Sequence, residues 1–192
     1  TQMIAKGLDF PDVTLVGVLN ADTALNLPDF RSSERTFQLL TQVAGRAGRA
    51  EKAGQVFIQS YNPHHYAIEF AKQQDYEGFY AYEMGIRRQL GYPPYYFTVG
   101  LTLSHKNEET AVRKAYEVMD ILRSSLSEKV QILGPTPKPI ARTHNLYHYQ
   151  ILLKYRFEDK LQATLNQVLD WTQNRDNKDL RLIIDNEPQN FM

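Results

Sequence analysis

One short apolar run limits what this chain can fold into. Residues 13–19 read Val-Thr-Leu-Val-Gly-Val-Leu, and the polar stretch 20–22 follows directly. A nearly continuous apolar run of this length is typical of a strand buried on both faces of a parallel sheet. Such a strand needs a partner strand and covering helices. We therefore expect an α/β domain with Asn20 and Asp22 at the carboxyl edge of the sheet, where α/β proteins place their ligands.

The residues after that strand complete a strand–helix–strand unit. Ser32 or Ser33 can cap a helix, and Glu34 is favoured in its first turn by the helix dipole. Apolar side chains then recur at helical spacing, at Phe37, Leu40, Val43, Ala44 and Ala47. Residues 54–60 predict the next strand. This order indicates half of an α/β sheet.

Residues 63–91 predict two helices, and the helical pattern ends after them. The sequence Gly-Tyr-Pro-Pro-Tyr occupies residues 91–95. Proline is excluded from a helix interior and restricts the residue before it. We therefore expect three parts: an α/β part at 1–62, a helical linker at 63–94 and a C-terminal domain at 95–192.

The C-terminal domain shows the order β-α-β-β-α-β. The pattern predicts strands at 96–104, 129–134, 147–156 and 180–185, helices at 107–125 and 158–174, and a proline-rich loop at 134–139. This is the order of a ferredoxin-like split sandwich. The predicted fold class of the chain is therefore α/β plus α+β.

Composition excludes several classes of protein. Lys plus Arg and Asp plus Glu both number 22, so no net charge points to a nucleic-acid or membrane partner. The chain has 0 cysteines, which excludes disulfides and thiolate metal sites. No apolar run approaches the roughly 18–20 residues of a membrane span, and we expect no signal peptide. Because the chain begins at Thr1 without a methionine, we expect a fragment of a longer protein.

The end of the first long helix carries a pattern that suits phosphate. Gln42 is followed by Gly45, Arg46, Gly48 and Arg49. Three residues make nearly one helical turn, so both guanidinium groups can leave one face, and each is a rigid fork of donors for phosphate oxygens. The glycines cost about 1 kcal/mol each relative to alanine in a helix, which favours a close approach by a ligand. The alternative is two surface arginines favoured by the helix dipole.

The first nine residues form a second, weaker pattern. Thr1, Lys6 and Gly7 stand ahead of the buried strand and could contact a phosphate backbone. Asp9 could accept a hydrogen bond from a ribose hydroxyl or a backbone amide. As an isolated pattern, an ordinary loop is the simpler interpretation.

Two windows without acidic residues combine basic and aromatic side chains. They are residues 84–107 and 129–157. Stacking on aromatic rings contributes about 1–3 kcal/mol per base of single-stranded DNA, whatever the sequence. The candidate DNA contacts in these windows are Arg87, Arg88, Tyr95, Lys138 and Arg142. The same basic surface could bind an acidic peptide, and core aromatics with solvated lysines are the structural alternative.

These stretches together resemble a known family. The runs TQMIAKGLDFPDVTLVGVLNAD, LPDFRSSERTFQLLTQVAGRAGR, GYPPY, GPTPKPIAR and DNEPQNF are similar to the C-terminal part of the PriA family. These bacterial primosomal proteins N′ are superfamily 2 DNA helicases that restart stalled replication forks. The resemblance spans essentially the whole chain. It departs at residues 32–33, where we expect at least one alanine, and at residues 186–187, where we expect valine and aspartate.

The resemblance implies a role for each group of candidate residues. Residues 1–62 would be the C-terminal part of the second RecA-like helicase lobe, and 95–192 a ferredoxin-like domain. The catalytic residues at the γ-phosphate would be Gln42, Arg46 and Arg49; the nucleotide cleft would include Gly7, Asp9 and Gly45; and the DNA strand would meet Thr1, Gln2 and Lys6. Arg156, Lys160 and Gln162 are candidates to receive the acidic tail of single-stranded-DNA-binding protein.

The resemblance also implies cofactors and partners for the intact enzyme. ATP and magnesium would serve 3′-to-5′ movement on single-stranded and forked DNA, and zinc would bind outside this fragment. No Gly-x-x-x-x-Gly-Lys-Ser/Thr phosphate loop occurs here, so we expect this part alone to be inactive and to hold no cofactor. Other primosome proteins and a bacterial cytoplasmic, nucleoid-associated location are also implied. A non-catalytic DNA- or protein-binding module and an RNA-directed helicase remain the alternatives.

Overall fold

The computed structural model of this chain describes residues 13–45, 47, 54–189 and 191. The chain divides into two compact units, of which the first ends at Ile86 and the second begins at Arg87. Each unit has its own hydrophobic core among the described residues.

The first unit contains a two-stranded parallel sheet and helices. Strand β1 (Leu15–Val18) pairs in parallel with β2 (Gln55–Ile58). Between them lie the short helix α1 (Asp22–Leu25) and the longer helix α2 (Ser32–Ala44). Helices α3 (Tyr66–Gln73) and α4 (Tyr76–Leu90) follow β2. The strand–helix–strand order thus agrees with the order that the sequence predicts.

The β1–β2 sheet is not buried on both faces within the described part of the chain. Exposure alternates along each strand, and Leu15 and Phe57 remain 61% and 63% exposed. The expectation of a strand buried on both faces is therefore wrong for these residues. A continuous apolar run shows that two faces can be covered, but it does not show that both covering layers are present.

The two helices predicted at 63–91 contribute to the core of the first unit. Phe37 of α2 stacks on Phe79 of α4, with ring centroids 4.1 Å apart and planes 6° from parallel. Ala67, Ile68 and Ala71 of α3 are buried in the same cluster. Residues 63–86 of the proposed linker therefore pack as part of this unit, and the division between units falls within α4.

The second unit is a four-stranded antiparallel sheet with two long helices. Its elements are β3 (Phe97–His105), α5 (Glu108–Ser125), β4 (Gln131–Thr143), β5 (Leu146–Tyr155), α6 (Leu161–Thr172) and β6 (Arg181–Asn186). The strand order in the sheet is β4-β5-β3-β6, and each neighbouring pair is antiparallel. A single 3₁₀ turn, Arg175–Asn177, precedes β6.

One face of this sheet packs against α5 and α6. Val99, Leu101 and Leu103 of β3 point to that face together with Ile151 and Leu153 of β5, and all five are buried. Apolar residues of the helices complete the core, including Val118, Leu122, Leu165 and Val168. The alternation along β3 leaves Thr98, Gly100 and Thr102 on the opposite face.

The proline-rich stretch predicted as a loop at 134–139 is part of strand β4 instead. The strand extends from Gln131 to Thr143 and contains Pro135, Pro137 and Pro139. Proline cannot donate to a strand ladder, so it is confined to edge strands and bulges. β4 is at the edge of the sheet and carries register shifts on both sides of Thr136 and Pro137. The prediction was wrong because sequence alone does not distinguish an edge strand from a loop.

Gly134 in β4 has a backbone conformation and a contact that favour glycine. Its φ is +102°, and a Cβ atom would lie 2.6 Å from the carbonyl oxygen of Gln150. That oxygen belongs to the backbone of β5 and cannot rotate away. A side chain at position 134 would therefore strain the backbone and separate β4 from β5.

We expect Gly134→Ala to lower the free energy of unfolding of the second unit by about 2–4 kcal/mol, from backbone strain and overpacking. Gly85→Ala is a control in the first unit, because nothing lies within 4 Å of the Cβ position at this exposed helical glycine. It should raise the stability of the first unit by about 0.5–1 kcal/mol and leave the unfolding of the second unit unchanged. Urea unfolding of both variants measures the difference, and equal effects would contradict the role of Gly134.

Candidate nucleic-acid interface

Most of the first-unit residues predicted to contact the nucleotide or the DNA strand lie outside the described residues. They are Thr1, Gln2, Lys6, Gly7, Asp9, Arg46 and Arg49. Gln42 is exposed in the last turn of α2, and Gly45 forms the C-cap of that helix. The amide of Gly45 donates to the carbonyl of Thr41 at 3.0 Å. Gln42 and Gly45 are therefore close to the same helix end.

Among the described residues, nothing requires glycine at position 45. Its φ is −66°, and a Cβ atom would meet Thr41 and Gln42 carbonyl oxygens at 3.5 and 3.7 Å, which is ordinary contact. A requirement for glycine here would have to come from a ligand or from another part of the protein.

The polar residues at the carboxyl edge of β1 join the two strands of the first unit. The Asp22 carboxylate is buried and accepts hydrogen bonds from the Ser60 hydroxyl at 2.8 Å and from the Tyr61 amide at 3.0 Å. These bonds, the Tyr61 amide first, hold the pKa of Asp22 below its ordinary value. Asn20 accepts from the amide of Asp22 at 2.9 Å. Asp22 therefore fixes the loop after β2, whose Tyr61 ring is 92% exposed.

The second unit brings basic and aromatic side chains together at one end of the β3–β5 pair. Three cations each lie over a tyrosine ring: the Arg88 guanidinium 5.9 Å from Tyr95, the Lys154 ammonium 3.7 Å from Tyr92 and the Arg156 guanidinium 4.8 Å from Tyr96. Phe97 and Tyr155 are paired in register, with ring centroids 5.7 Å apart. We call these eight residues the aromatic edge.

Lys154 is the buried centre of the aromatic edge. Its side chain donates to the carbonyl of Leu90, at the C-terminus of α4, at a distance of 3.0 Å. The residue is only 5% exposed, and burial lowers the pKa of its ammonium group. A positive charge is favoured at a helix C-terminus and over an electron-rich ring. Lys154 therefore fixes the end of α4 and the Tyr92 ring against the sheet.

The outer part of the aromatic edge is accessible to a ligand. Phe97 is 54% exposed, nearby Phe157 is 79% exposed, and Arg88 and Arg156 are also exposed. The carboxylate closest in sequence to Phe157 has another hydrogen-bond partner. Glu158 accepts from the backbone and hydroxyl of Ser127, and these bonds hold the pKa of Glu158 below its ordinary value. The edge therefore presents rings and cations together.

Arg87, which the sequence predicts as a DNA contact, is buried. It is 7% exposed, and its guanidinium lies 3.5 Å from the carbonyl of Pro93. The backbone carbonyl of Arg87 also accepts from the Tyr92 amide at 2.9 Å. The neighbouring Arg88 is exposed because a helix turns by about 100° per residue. Arg87 therefore supports the turn that carries Tyr92, and Arg88 is the accessible cation.

Lys138 and Arg142 do not join the aromatic edge. Arg142 is exposed, lies over Tyr147 at 4.9 Å and donates to Asn145 at 2.6 Å. Tyr147 pairs with His105, the last residue of β3, whereas Phe97 is the first. Eight residues of strand span about 27 Å. The predicted DNA contacts of the second unit thus form two separate groups at opposite ends of the sheet.

The residues predicted to receive an acidic tail are all exposed. Arg156 belongs to the aromatic edge, and the Lys160 amide donates to Glu158 at 3.3 Å. Gln162 donates to Asn166 one helical turn further along α6 at 3.3 Å.

In the part of the chain that the structure describes, no helix is both long and apolar enough to cross a membrane.

The fold and the aromatic edge define a class of protein: a two-unit chain whose second unit is a small antiparallel α+β unit with exposed basic and aromatic side chains at one end of its sheet. A family model described as the primosomal protein N C-terminal domain matches residues 88–189. That range coincides closely with the second unit. The chain therefore belongs to the primosomal protein N (PriA) family.

Full-length relatives support the same assignment over the rest of the chain. The replication restart protein PriA of Bacillus subtilis is 50% identical over 100% of this chain and 24% of its own length. The PriA proteins of Synechocystis and Haemophilus influenzae are 46% and 36% identical over 81% and 100% of this chain, and over 19% and 26% of their own lengths. The chain thus spans about a quarter of the B. subtilis relative.

Among solved structures, this chain is similar to a de novo designed protein, Foldit4, which is 8% identical and matches 49% of this chain and 98% of its own, with a TM-score of 0.40.

We expect Asp22→Ala to lower the thermal midpoint at pH 7 by several degrees, because the Ser60 hydroxyl and the Tyr61 amide lose their acceptor. A lowered carboxyl pKa stabilises the fold fully above the unfolded value of about 3.9, and this stability is lost as the pH falls through the folded pKa. The deficit of the variant should therefore shrink below about pH 4. Calorimetry from pH 3 to 7 measures it.

Asp120→Ala is the matched control for this experiment, since Asp120 is an exposed carboxylate on α5. It should leave the midpoint nearly unchanged at every pH. A deficit of Asp22→Ala that stays constant down to pH 3 would contradict the electrostatic role of Asp22.

Proposed function

We propose that this chain is the C-terminal part of an ATP-dependent 3′-to-5′ DNA helicase that recognises stalled replication forks and starts primosome assembly. Membership of the family and the relatives named as replication restart proteins support this proposal. The sequence signature of residues 42–49 supports ATP hydrolysis by a helicase. The activity belongs to the intact protein, because this chain spans only about a quarter of the B. subtilis relative.

The two units have features that support more specific fold assignments. The parallel β1–β2 pair with α2 between its strands is the arrangement of an α/β crossover, as in a RecA-like lobe. The exposed face of that pair would be covered by the rest of such a lobe. The second unit has the β-α-β-β-α-β order and an antiparallel sheet, which favours a ferredoxin-like fold.

The aromatic edge is the observation that carries the DNA-binding part of the proposal. Arg88, Lys154 and Arg156 supply positive charge, and each lies over a tyrosine that fixes its position. The accessible rings can stack on successive bases, and the cations can accompany the phosphate backbone. Such binding depends on the shared chemistry of all bases, so it is independent of sequence. A protein that reloads replication at arbitrary sites needs this kind of contact.

In the nucleotide cleft of the intact enzyme, Arg46 and Arg49 would stabilise charge on the γ-phosphate, and Gln42 would help to order the cleft. ATP with magnesium supplies the phosphoryl group for hydrolysis when bound. Gly7, Gly45 and Asp9 would line the cleft, while Thr1, Gln2 and Lys6 would contact the DNA strand. Zinc would bind elsewhere in the intact protein.

The partners and the location are also part of this proposal. The exposed residues Arg156, Lys160 and Gln162 would receive the acidic tail of single-stranded-DNA-binding protein. The separate group at Lys138 and Arg142 would contact another arm of a forked DNA. Assembly with other primosome proteins would take place in the bacterial cytoplasm, at the nucleoid.

We expect Arg46→Ala and Arg49→Ala in the full-length protein to lower DNA-stimulated ATP hydrolysis by about 10³-fold or more, the range for arginines at a transferring phosphate. DNA affinity should be largely kept. Steady-state ATPase assays with single-stranded DNA, beside anisotropy binding, measure both quantities. Using RNA as the activator tests the alternative of an RNA-directed helicase.

Two results would contradict the helicase proposal. Loss of DNA binding together with the ATPase would remove the assigned role of Arg46. A full-length wild-type protein that binds DNA but hydrolyses no ATP would favour the non-catalytic binding module.

For single-strand binding, log K falls linearly with log salt concentration. We expect Arg88→Gln and Arg156→Gln each to make this slope less steep by about 0.7, because each variant loses one phosphate contact. Arg123→Gln is the charge-matched control, because Arg123 is exposed on α5. It should leave the slope unchanged. Anisotropy titrations of the full-length protein at several salt concentrations give the slopes, and equal slopes for all three variants would rule out the aromatic edge.

A further inference from the structure

The Tyr92 ring lies between a cation and another ring. The Lys154 ammonium is 3.7 Å from the Tyr92 centroid, and the Phe191 ring is 6.3 Å away with its plane tilted by 32°. The backbone of Tyr92 is also held, because its amide donates to Arg87 and its carbonyl accepts from Tyr95 at 3.1 Å. Tyr92 is therefore a fixed aromatic platform, and Phe191 already contacts it.

Phe191 reaches Tyr92 through a short segment that folds back over the sheet. The returning segment is Glu187, Pro188, Gln189 and Phe191. The Glu187 amide donates to the Thr98 carbonyl at 2.9 Å, and the Glu187 carboxylate accepts from the Thr98 amide at 2.7 Å. Pro188 lies against Gly100: the Cγ atom of Pro188 is 3.6 Å from the point that a Cβ atom at position 100 would occupy. The segment thus covers the start of β3 on the face opposite the helices.

The returning segment is anchored to the start of β3 through Glu187 and through Pro188, which is buried. None of its residues belongs to the hydrophobic core of the second unit. Glu187 has a φ of +53°, a left-handed conformation that is unfavourable for a residue with a side chain. A strained segment outside the hydrophobic core can separate from its surface without unfolding the domain.

Polar groups for a ligand lie beneath this segment. Thr98 is paired in register with Lys154, so both side chains occupy the same face of the sheet. The Thr98 hydroxyl is fully buried and has no hydrogen-bond partner among the described residues. A buried polar atom without a partner is uncommon in proteins. The hydroxyl and the ammonium together are donors suited to a phosphate oxygen.

We infer that Tyr92, Lys154 and Thr98 form a further nucleotide-binding position for single-stranded DNA, and that Phe191 fills its stacking place when no strand is bound. A base would stack on Tyr92 after displacing the Phe191 ring, and the adjacent phosphate would meet Lys154 and Thr98. This inference rests on the proposed function, since it adds one position to the single-strand path along the aromatic edge.

A nucleotide fits this position better than a protein side chain. The platform offers one ring for stacking and two donors for an anion, which are the two parts of a nucleotide. Phe191 imitates only the stacked base, and the Glu187 carboxylate of the returning segment bonds to the Thr98 amide while the Thr98 hydroxyl is left without a partner among the described residues. A strand therefore gains contacts to phosphate that the returning segment cannot make.

The test measures binding of short oligothymidylate to the full-length protein by anisotropy. Phe191→Ala removes the internal competitor and should tighten binding by about 3- to 10-fold, the range of a modest stacking competition. Phe191→Tyr keeps the ring and should bind like the wild type. Leu169→Ala, at an exposed apolar residue of α6, is the control for loss of an apolar side chain and should have no effect.

Two further measurements separate base stacking from simple charge effects. An abasic strand of the same length should not gain from Phe191→Ala, because it has no base to replace the ring. Tyr92→Leu should weaken oligothymidylate binding, and adding Phe191→Ala to it should no longer tighten binding.

The outcomes distinguish this inference from the proposed function. Binding of oligothymidylate that Phe191→Ala leaves unchanged or weakens overturns the inference and keeps the proposed function. An equal gain for the abasic strand also overturns it. A full-length protein that does not bind single strands overturns both.

Discussion

The antiparallel pairing of β3 with β5 is the constraint on which the second unit depends. Its register places Phe97 opposite Tyr155 and Thr98 opposite Lys154. The two acid-free windows of the sequence, which are more than twenty residues apart, therefore meet at one end of the sheet. A slip of one residue would move Lys154 to the helix-covered face and leave a buried charge in the core. The hydrophobic core thus fixes where the cations are displayed.

Lys154 shows how a neutral chain can carry a basic site. The net charge is 0, yet the ammonium group is buried where its contacts are a carbonyl and a tyrosine ring. Desolvation of that charge is costly, and the helix C-terminus and the ring offset part of the cost. The result is a rigid attachment of the loop between α4 and β3. Rigid aromatic platforms lose little entropy on binding, which favours their use in recognition.

The sequence predicted those parts of the fold that have a clear period or composition. The helix at Ser32–Ala44 and the strands around Phe97–His105 and Leu146–Tyr155 follow from apolar spacing. The strand through Gly134 to Pro139 was predicted as a loop, because proline is allowed only where one side of a strand has no partner, and edge position is a tertiary property. The exposed face of the β1–β2 sheet was also not predicted, because the covering of a sheet face is a tertiary property as well.

The candidate site was predicted by type of residue but not by arrangement. The basic and aromatic windows were identified, and Arg88 and Tyr95 are accessible at the aromatic edge. The sequence could not separate Arg88 from Arg87, because one step along a helix decides which of two neighbours is buried. It also gave no signal for Phe191 beside Tyr92, since that contact depends on the left-handed turn at Glu187.

On the proposed function, the Phe191 ring beside Tyr92 would change which ligands the second unit selects. If a site is open in only a fraction of the molecules, its apparent dissociation constant rises by the inverse of that fraction. A ligand that binds only at Tyr92 bears the whole penalty, whereas a single strand that also engages Tyr95 and Tyr96 would bind through those rings without it. An isolated base or a short peptide has no such support. The covered position would therefore favour extended strands over small ligands.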